Sequence, residues 1–231
     1  MTTPRVAVIM PAYNVAPYVT EALHSIAAQT MRDLECVVVN DGSTDDTRDI
    51  VDEWLAATRD RRFDRYSTAH SGVAHALGIG LEFTHAPRVM FHAGDDTMSP
   101  DYLDRCLAAM DATGAPVAYT DVGEVGVGGV WSPRYGSVSL AEQNTIPGCA
   151  VVDRWVIEKA GGIPSGFPHG CEDWGLFVKA EHAGCFTPTP PVHVPGPIYY
   201  HTRRPGSLSS AIGPHMPEIR ARIAAIARGE A

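Results

Sequence analysis

Residues 34–40 read Leu-Glu-Cys-Val-Val-Val-Asn, an apolar, β-branched run without polar alternation. Such a run suits a strand buried on both faces, the situation of a parallel sheet covered by helices. The flanking segments fit that arrangement. RVAVIM (5–10) is a short β-rich run stopped by Pro11, and 15–30 sets Val19, Leu23, Ile26 and Ala27 on one helical face. A helix is expected over 44–58, with Ser43, Thr44, Asp45 and Asp46 as cap and first-turn acids. RFDRYST (62–68) predicts a third strand. GVAHALGIGLEFTHA (72–86) predicts a helix whose glycines pack close to the sheet. RVMFH (88–92) is a fourth strand, and 99–114 a helix with Pro100 near its first turn and Gly114 just past its end. This repeated order predicts a single α/β domain, with a central, mostly parallel sheet and right-handed crossovers.

After residue 114 the pattern changes. Residues 115–137 are strand-like and glycine-rich, 152–162 and 172–184 are helical, and TPTPPVHVPGPIYYH (187–201) is extended and proline-rich, suited to an edge strand or a covering segment. Residues 214–230 form an amphipathic helix with an arginine side, expected to pack on its own domain or on a second copy in a homodimer. We divide the domain into a nucleotide-binding half (about 1–112), an acceptor-binding half (about 113–210) and the C-terminal helix.

With 231 residues, 45% apolar and 19% charged, the chain can bury one large core. A net charge of −9 argues against nucleic acid or anionic membranes as partners, and a polyanionic ligand would need a local cation or a nest of backbone donors. The five cysteines are odd in number and never in C-x-x-C, as expected of reduced thiols in a cytoplasmic protein. No run approaches the length of a membrane span, the N-terminus lacks a signal-peptide layout, and the ten histidines show no metal-ligand spacing.

In open α/β sheets, ligands bind beyond the carboxyl ends of the strands. Three polar clusters follow such ends: Pro11-Ala12-Tyr13-Asn14, Asn40-Asp41-Gly42-Ser43 and Gly94-Asp95-Asp96. Tyr13 suits stacking on a base, Asp41 suits accepting from its N–H, and Asp95 and Asp96 suit a ribose and a metal-bound diphosphate. Two adjacent carboxylates repel each other unless a cation lies between them.

VAVIMPAYNVAPYVTEALHSIAAQT and LECVVVNDGSTDDT, then GDDTMSPDYL, then CEDWGLFVKAEHAG, resemble in order and spacing the family 2 glycosyltransferases of GT-A fold, over about residues 5–210. The resemblance implies an inverting, metal-dependent transfer from a UDP-, GDP- or dTDP-linked sugar, with Mg2+ or Mn2+ as cofactor. Pro11, Tyr13 and Asp41 would contact the nucleoside, Asp95 the ribose and metal region, and Asp96 the metal directly. In the Glu172-Asp173 pair, Asp173 would be the catalytic base. His201, Arg203 and Arg204 of HTRRPGSLS would meet the diphosphate.

The chain departs from the family pattern at three points. Ala93 stands where the first aspartate of D-x-D is usual. Leu77 and Gly78 stand where an Arg-Asn pair is usual, leaving His70 or His75 to substitute. Arg204 stands where a histidine is common. For the acceptor, Trp131, Tyr135, Trp155, Phe167, His169 and Trp174 are the side chains suited to stacking on a sugar or aglycone. A soluble small molecule or glycan is the expected acceptor. Two other readings compete: a degenerate nucleotide-sugar-binding subunit without turnover, and a nucleotidyltransferase. The second would want a glycine-rich, basic loop after the first strand, which MPAYNVAPY does not offer.

Overall fold

The computed structural model describes residues 3–126, 128–204 and 207–230. The first half runs β1 (Val6–Ala12), α1 (Val19–Ala27), β2 (Leu34–Asn40), α2 (Thr47–Thr58), β3 (Phe63–Ser67), α3 (Val73–Glu82), β4 (Arg88–Phe91), β5 (Thr97–Met98) and α4 (Tyr102–Thr113). The second half runs β6 (Val117–Val125), β7 (Val130–Trp131), β8 (Val151–Asp153), α5 (Arg154–Lys159), α6 (Glu172–His182), β9 (Val192–Thr202), α7 (Leu208–Ala211) and α8 (Met216–Ala227). One sheet passes through both halves in the order β3-β2-β1-β4-β8-β6-β9-β5, with β7 paired on β6.

The sheet is parallel across β3-β2-β1-β4 and again between β6 and β9, and antiparallel where β8, β5 and β7 join it. Because β8 runs against both β4 and β6, strands β1, β2, β4, β6 and β9 all point the same way. Their carboxyl ends therefore share one edge.

Strand β1 explains the lack of polar alternation. Val6, Val8 and Met10 enter a core with α1, α2 and α4, while Ile9 enters the opposite core with α3, α5, α6 and α8. Helix α8 buries Ile219, Ile223 and Ile226 in that second core, so its apolar face is used within the chain. That leaves the homodimer expectation without the face that suggested it.

The expectation that 187–201 lies at an edge holds only in part. Strand β9 is internal: β6 pairs along it, and β5 covers Tyr199 and Tyr200 on its other side. The prolines fall where pairing is interrupted. Thr120 pairs with Val194 but Asp121 with Pro197, so Pro195 and Gly196 bulge out of the ladder. Asp121 stabilises the bulge: its carboxylate accepts from Gly196 N–H at 3.0 Å, from His193 Nε2 at 2.9 Å and from Arg134 at 2.9 Å. Such a bulge accommodates proline inside a sheet, where a regular ladder would lack its N–H donors.

The two α3 glycines are not equivalent. A Cβ on Gly80 would overlap Ile9 Cγ2 of β1, whereas one on Gly78 would meet nothing within 4 Å. Only Gly80 lets the helix lie against the sheet. Gly80→Ala should therefore destabilise the fold by about 1–3 kcal/mol through overpacking. Gly78→Ala should be neutral or stabilising by up to about 1 kcal/mol, from helix propensity. Urea unfolding of the two variants beside wild type checks the contrast, and equal effects would contradict the packing.

Candidate active site

A cleft of about 1440 Å³ opens along the shared strand edge, lined from the ends of β1, β2, β4, β6 and β9 and from the start of α6. This exceeds the roughly 300–1,000 Å³ usual for one small ligand, so the cleft has volume for more than one.

The first wall is built by two loops locked together. Asn14 takes a left-handed conformation (φ 51°), and its Oδ1 accepts from Thr44 N–H at 2.8 Å. Val15 N–H donates to Thr47 Oγ1 and Ala16 N–H to Asp45, which also accepts from Thr47 N–H. Asp45, one of the acids expected at the start of α2, thus serves as much to hold the β1–α1 loop. Gly42 has φ 69°, and a Cβ there would sit 2.6 Å from His70 N, so this turn requires glycine.

Asp41 is buried. One carboxylate oxygen accepts from Ser71 N–H at 2.9 Å, and the other from Gly72 N–H at 2.9 Å and His70 Nδ1 at 2.8 Å. The oxygen bound only to Ser71 keeps a lone pair for a ligand. The His70 ring stacks on Tyr13, centroids 4.0 Å apart, and Tyr13 is 39% exposed on the cleft with Pro11 beside it. Of the two candidate histidines, His70 joins Tyr13 and Asp41. His75 lines the cleft, but its side chain makes no hydrogen bond among the described residues. Leu77 is buried in the second core.

The adjacent aspartates have different surroundings. Asp96 is only 4% exposed and has one hydrogen bond on each oxygen: Oδ1 accepts from Thr202 N–H at 2.7 Å and Oδ2 from Tyr199 O–H at 2.9 Å. Burial pushes its carboxyl up to about 7, the Asp95 charge adds to the shift, and the two hydrogen bonds and Arg204 oppose it. Asp95 lines the cleft and pairs with Arg204, Nε to Oδ2 at 2.6 Å. The Arg204 guanidinium also lies 5.7 Å from the Tyr18 ring centre. Arg203 also lines the cleft, where it is exposed and donates to Glu124 at 2.6 Å, and His201 Nε2 lies 3.1 Å from Ser209 Oγ. Burial lowers the His201 imidazole below its usual range.

On the opposite wall, Cys171 takes φ 71°, a strained value for a non-glycine residue, and turns the chain into α6. This brings Glu172 and Asp173 to the cleft. Glu172 Oε2 is buried without a hydrogen-bond partner. Burial and the neighbouring Asp173 push the Glu172 carboxyl up to about 8. Burial also raises Asp173, opposed by the Trp174 backbone N–H and by Asn144, whose Nδ2 donates at 3.3 Å. A Cβ on Gly148 would stand 2.8 Å from Asp173 Oδ2, so glycine permits this close approach. Asn144 and Gly148 were not singled out in the sequence. The glycine in the otherwise irregular NTIPG run was the available signal.

The aromatic candidates divide. Trp131, Phe167 and His169 line the cleft. Trp174 does not: it is 2% exposed in the core, and its Nε1–H donates to Leu140 O at 2.6 Å. Trp155 lies on a separate small pocket near Gly114 and Pro116, and Tyr135 O–H donates to Glu181 at 2.7 Å. Trp155 and Tyr135 are therefore also outside the cleft lining.

Among the described residues, the only group of three close metal-ligating side chains is His169, His215 and Glu218. The two rings are stacked, centroids 3.4 Å apart and 12° from parallel, so one ion cannot lie in both ring planes.

The sequence model described as "Glycosyl transferase family 2" matches residues 7–155. The chain belongs to that family. It is 36% identical over 100 residues to glycosyltransferase GlyA of Streptococcus pneumoniae, covering 43% of this chain and 14% of that protein. The structure of S. aureus TarS 1-349 in complex with UDP-GlcNAc is similar with a TM-score of 0.75 at 24% identity, covering 89% of this chain and 61% of that one. The mannosyltransferase PcManGT from Pyrobaculum calidifontis, in complex with GDP-Man and Mn2+, is similar with a TM-score of 0.70 at 23% identity, covering 96% and 61%. The chain spans less than two thirds of the length of each of these proteins. The fold is GT-A. No helix among the described residues is long and apolar enough to cross a membrane.

The raised Glu172 has a measurable consequence. The folded protein holds this proton up to about pH 8, whereas an exposed glutamate releases it near 4.5. Folding is therefore favoured by this group fully below about pH 4.5, and that contribution is lost progressively as pH rises from there to about 8. Glu172→Gln, neutral at every pH, should melt above wild type at pH 8.5 and with wild type at pH 4. A difference independent of pH would contradict the assignment.

Proposed function

We propose that the chain transfers a glycosyl group from a nucleoside-diphosphate sugar to a hydroxyl acceptor, with inversion. The observation that carries this reading is the convergence on one cleft of Tyr13, Asp41 and Asp95 from strand ends and of Asp173 from a helix start. Tyr13, backed by His70, takes one face of the base, and Asp41 accepts its N–H through the free lone pair. The diphosphate lies toward Asp95 and Arg204, and the acceptor lies between Asp173 and the exposed ring of Trp131.

The reaction is a single displacement. The acceptor oxygen attacks the anomeric carbon as the bond to the diphosphate oxygen breaks, and the hydroxyl proton passes to Asp173. Asn144 and the Trp174 N–H orient the receiving carboxylate. Burial raises both carboxyls of the pair, and the repulsion of Asp173 raises Glu172 further, which favours leaving the negative charge on Asp173.

PcManGT is in complex with Mn2+, and a divalent ion here would fall to Asp95 and Asp96. The donor set fits such an ion poorly. Ala93 offers no ligand, Asp96 has both oxygens hydrogen-bonded, Asp95 is paired with Arg204, and no third ligating side chain among the described residues groups with them. No step is assigned to a metal. The donor nucleotide is UDP, GDP or dTDP, and the acceptor a small molecule or glycan.

Asp173→Asn should retain donor binding and lower transfer by roughly 10²- to 10⁴-fold, the scale of a lost general base. Wild-type transfer should fall as pH drops through a value above the ordinary carboxylate range, because Asp173 must be ionised to accept the proton. Transfer can be followed as nucleoside-diphosphate release, with water as the acceptor where no other is known. Equal, measurable release by wild type and Asp173→Asn would remove Asp173 from the base role, and no release by wild type despite donor binding would favour a nucleotide-sugar-binding subunit without turnover.

A further inference from the structure

We propose that Arg204 takes the place of a divalent cation in this cleft, so that the donor's diphosphate is bound by a guanidinium and the protein binds its donor without metal. This rests on reading the cleft as a nucleoside-diphosphate site.

A diphosphate brings strong negative charge into a chain whose net charge is already −9. A local cation is needed, and the residues around Asp95 determine its kind. Asp96 is 4% exposed and carries a hydrogen bond on each oxygen, so turning it toward an ion would break its bonds to the Thr202 N–H and the Tyr199 O–H, the first of which ties the end of β9 to the residue before β5. Asp95 already has its counter-charge, Arg204, with both side chains mostly buried.

Arg204 is built to act outward from that pair. Only its Nε is hydrogen-bonded among the described residues, to Asp95, which leaves both terminal amino groups of the guanidinium uncommitted. Asp95 fixes the plane of the fork, and the Tyr18 ring supports one side. A planar guanidinium held in this way matches two phosphate oxygens at once and keeps its charge at any working pH. Arg203 is a poorer candidate, being exposed and paired with Glu124. Thr202 is the residue that Asp96 holds, so the buried aspartate sets the starting point of the two-residue step to Arg204. In this arrangement Asp96 is a positioning residue and Arg204 is the cation.

The test is calorimetric titration of the full chain with UDP, GDP and dTDP, in EDTA and in manganese, for wild type, Arg204→Gln and Arg204→Lys. For whichever nucleotide binds, the wild-type Kd should agree between the two buffers within about threefold. Arg204→Gln should weaken binding in EDTA by about tenfold or more, the scale of losing charge-assisted hydrogen bonds, and Arg204→Lys should recover part of the loss. Melting temperatures confirm that the variants are folded, and the wild-type comparison stands even if one is not. Binding that vanishes in EDTA and returns with manganese would overturn the proposal while leaving the donor site intact. Unchanged binding by folded Arg204→Gln in EDTA would also overturn it. No binding of any nucleotide in either buffer would instead overturn the reading of the cleft, and this proposal with it.

Discussion

The Asp96 carboxylate holds the cleft together. Its two oxygens are bound by the Thr202 backbone and the Tyr199 hydroxyl, so the segment leading into β5 and the end of β9 cannot separate without exposing or orphaning a buried acid. Removing partners from such a group costs more than the bonds contribute when made. Tyr199 also packs edge-on against His92 and Tyr102, which extends the clasp into the first core. Two residues beyond Thr202, Arg204 reaches Asp95. Both aspartates line the cleft, but one is tied into the scaffold and the other to Arg204.

The opposite wall follows a different principle. Asp173 is held close to Gly148 and Asn144, while Glu172 keeps a buried oxygen without a partner. Desolvation raises both carboxyls, so the pair retains a proton at pH values where exposed acids have lost theirs. A base with a raised pKa is better matched to an alcohol proton near neutral pH than an ordinary carboxylate. The unsatisfied oxygen and the strained Cys171 backbone lie at the same turn, as is common where a site is maintained at some expense of stability.

Much of this was legible in the sequence where the determinant is local. The Val-rich strands, the helical faces of 19–27 and 102–113, the glycine turn at Asp41-Gly42 and the strand-end polar clusters all depend on neighbours a few residues away. What was not legible depends on distant pairing. The three-residue β8 is a strand because β4 and β6 lie on either side of it, and β9 is internal at Tyr199 and Tyr200 because the two-residue β5 pairs on its other side. Asp95 and Asp96 look equivalent until β9, a hundred residues later, buries one of them. His70 and His75 are likewise separated only by the turn that carries His70 to Asp41. Trp174 suits a sugar platform by composition, but its position on α6 turns it into the core.

The central claim is that a nucleoside diphosphate lies along the shared carboxyl edge of β1, β2 and β4, with its charge at Arg204. A crystal structure of the chain soaked with UDP or GDP in metal-free buffer tests it most directly. The account predicts the base against Tyr13, a base N–H on Asp41 and phosphate oxygens on the Arg204 guanidinium. A nucleotide bound elsewhere, such as the pocket beside Trp155, or one whose phosphates avoid Arg204, would contradict it.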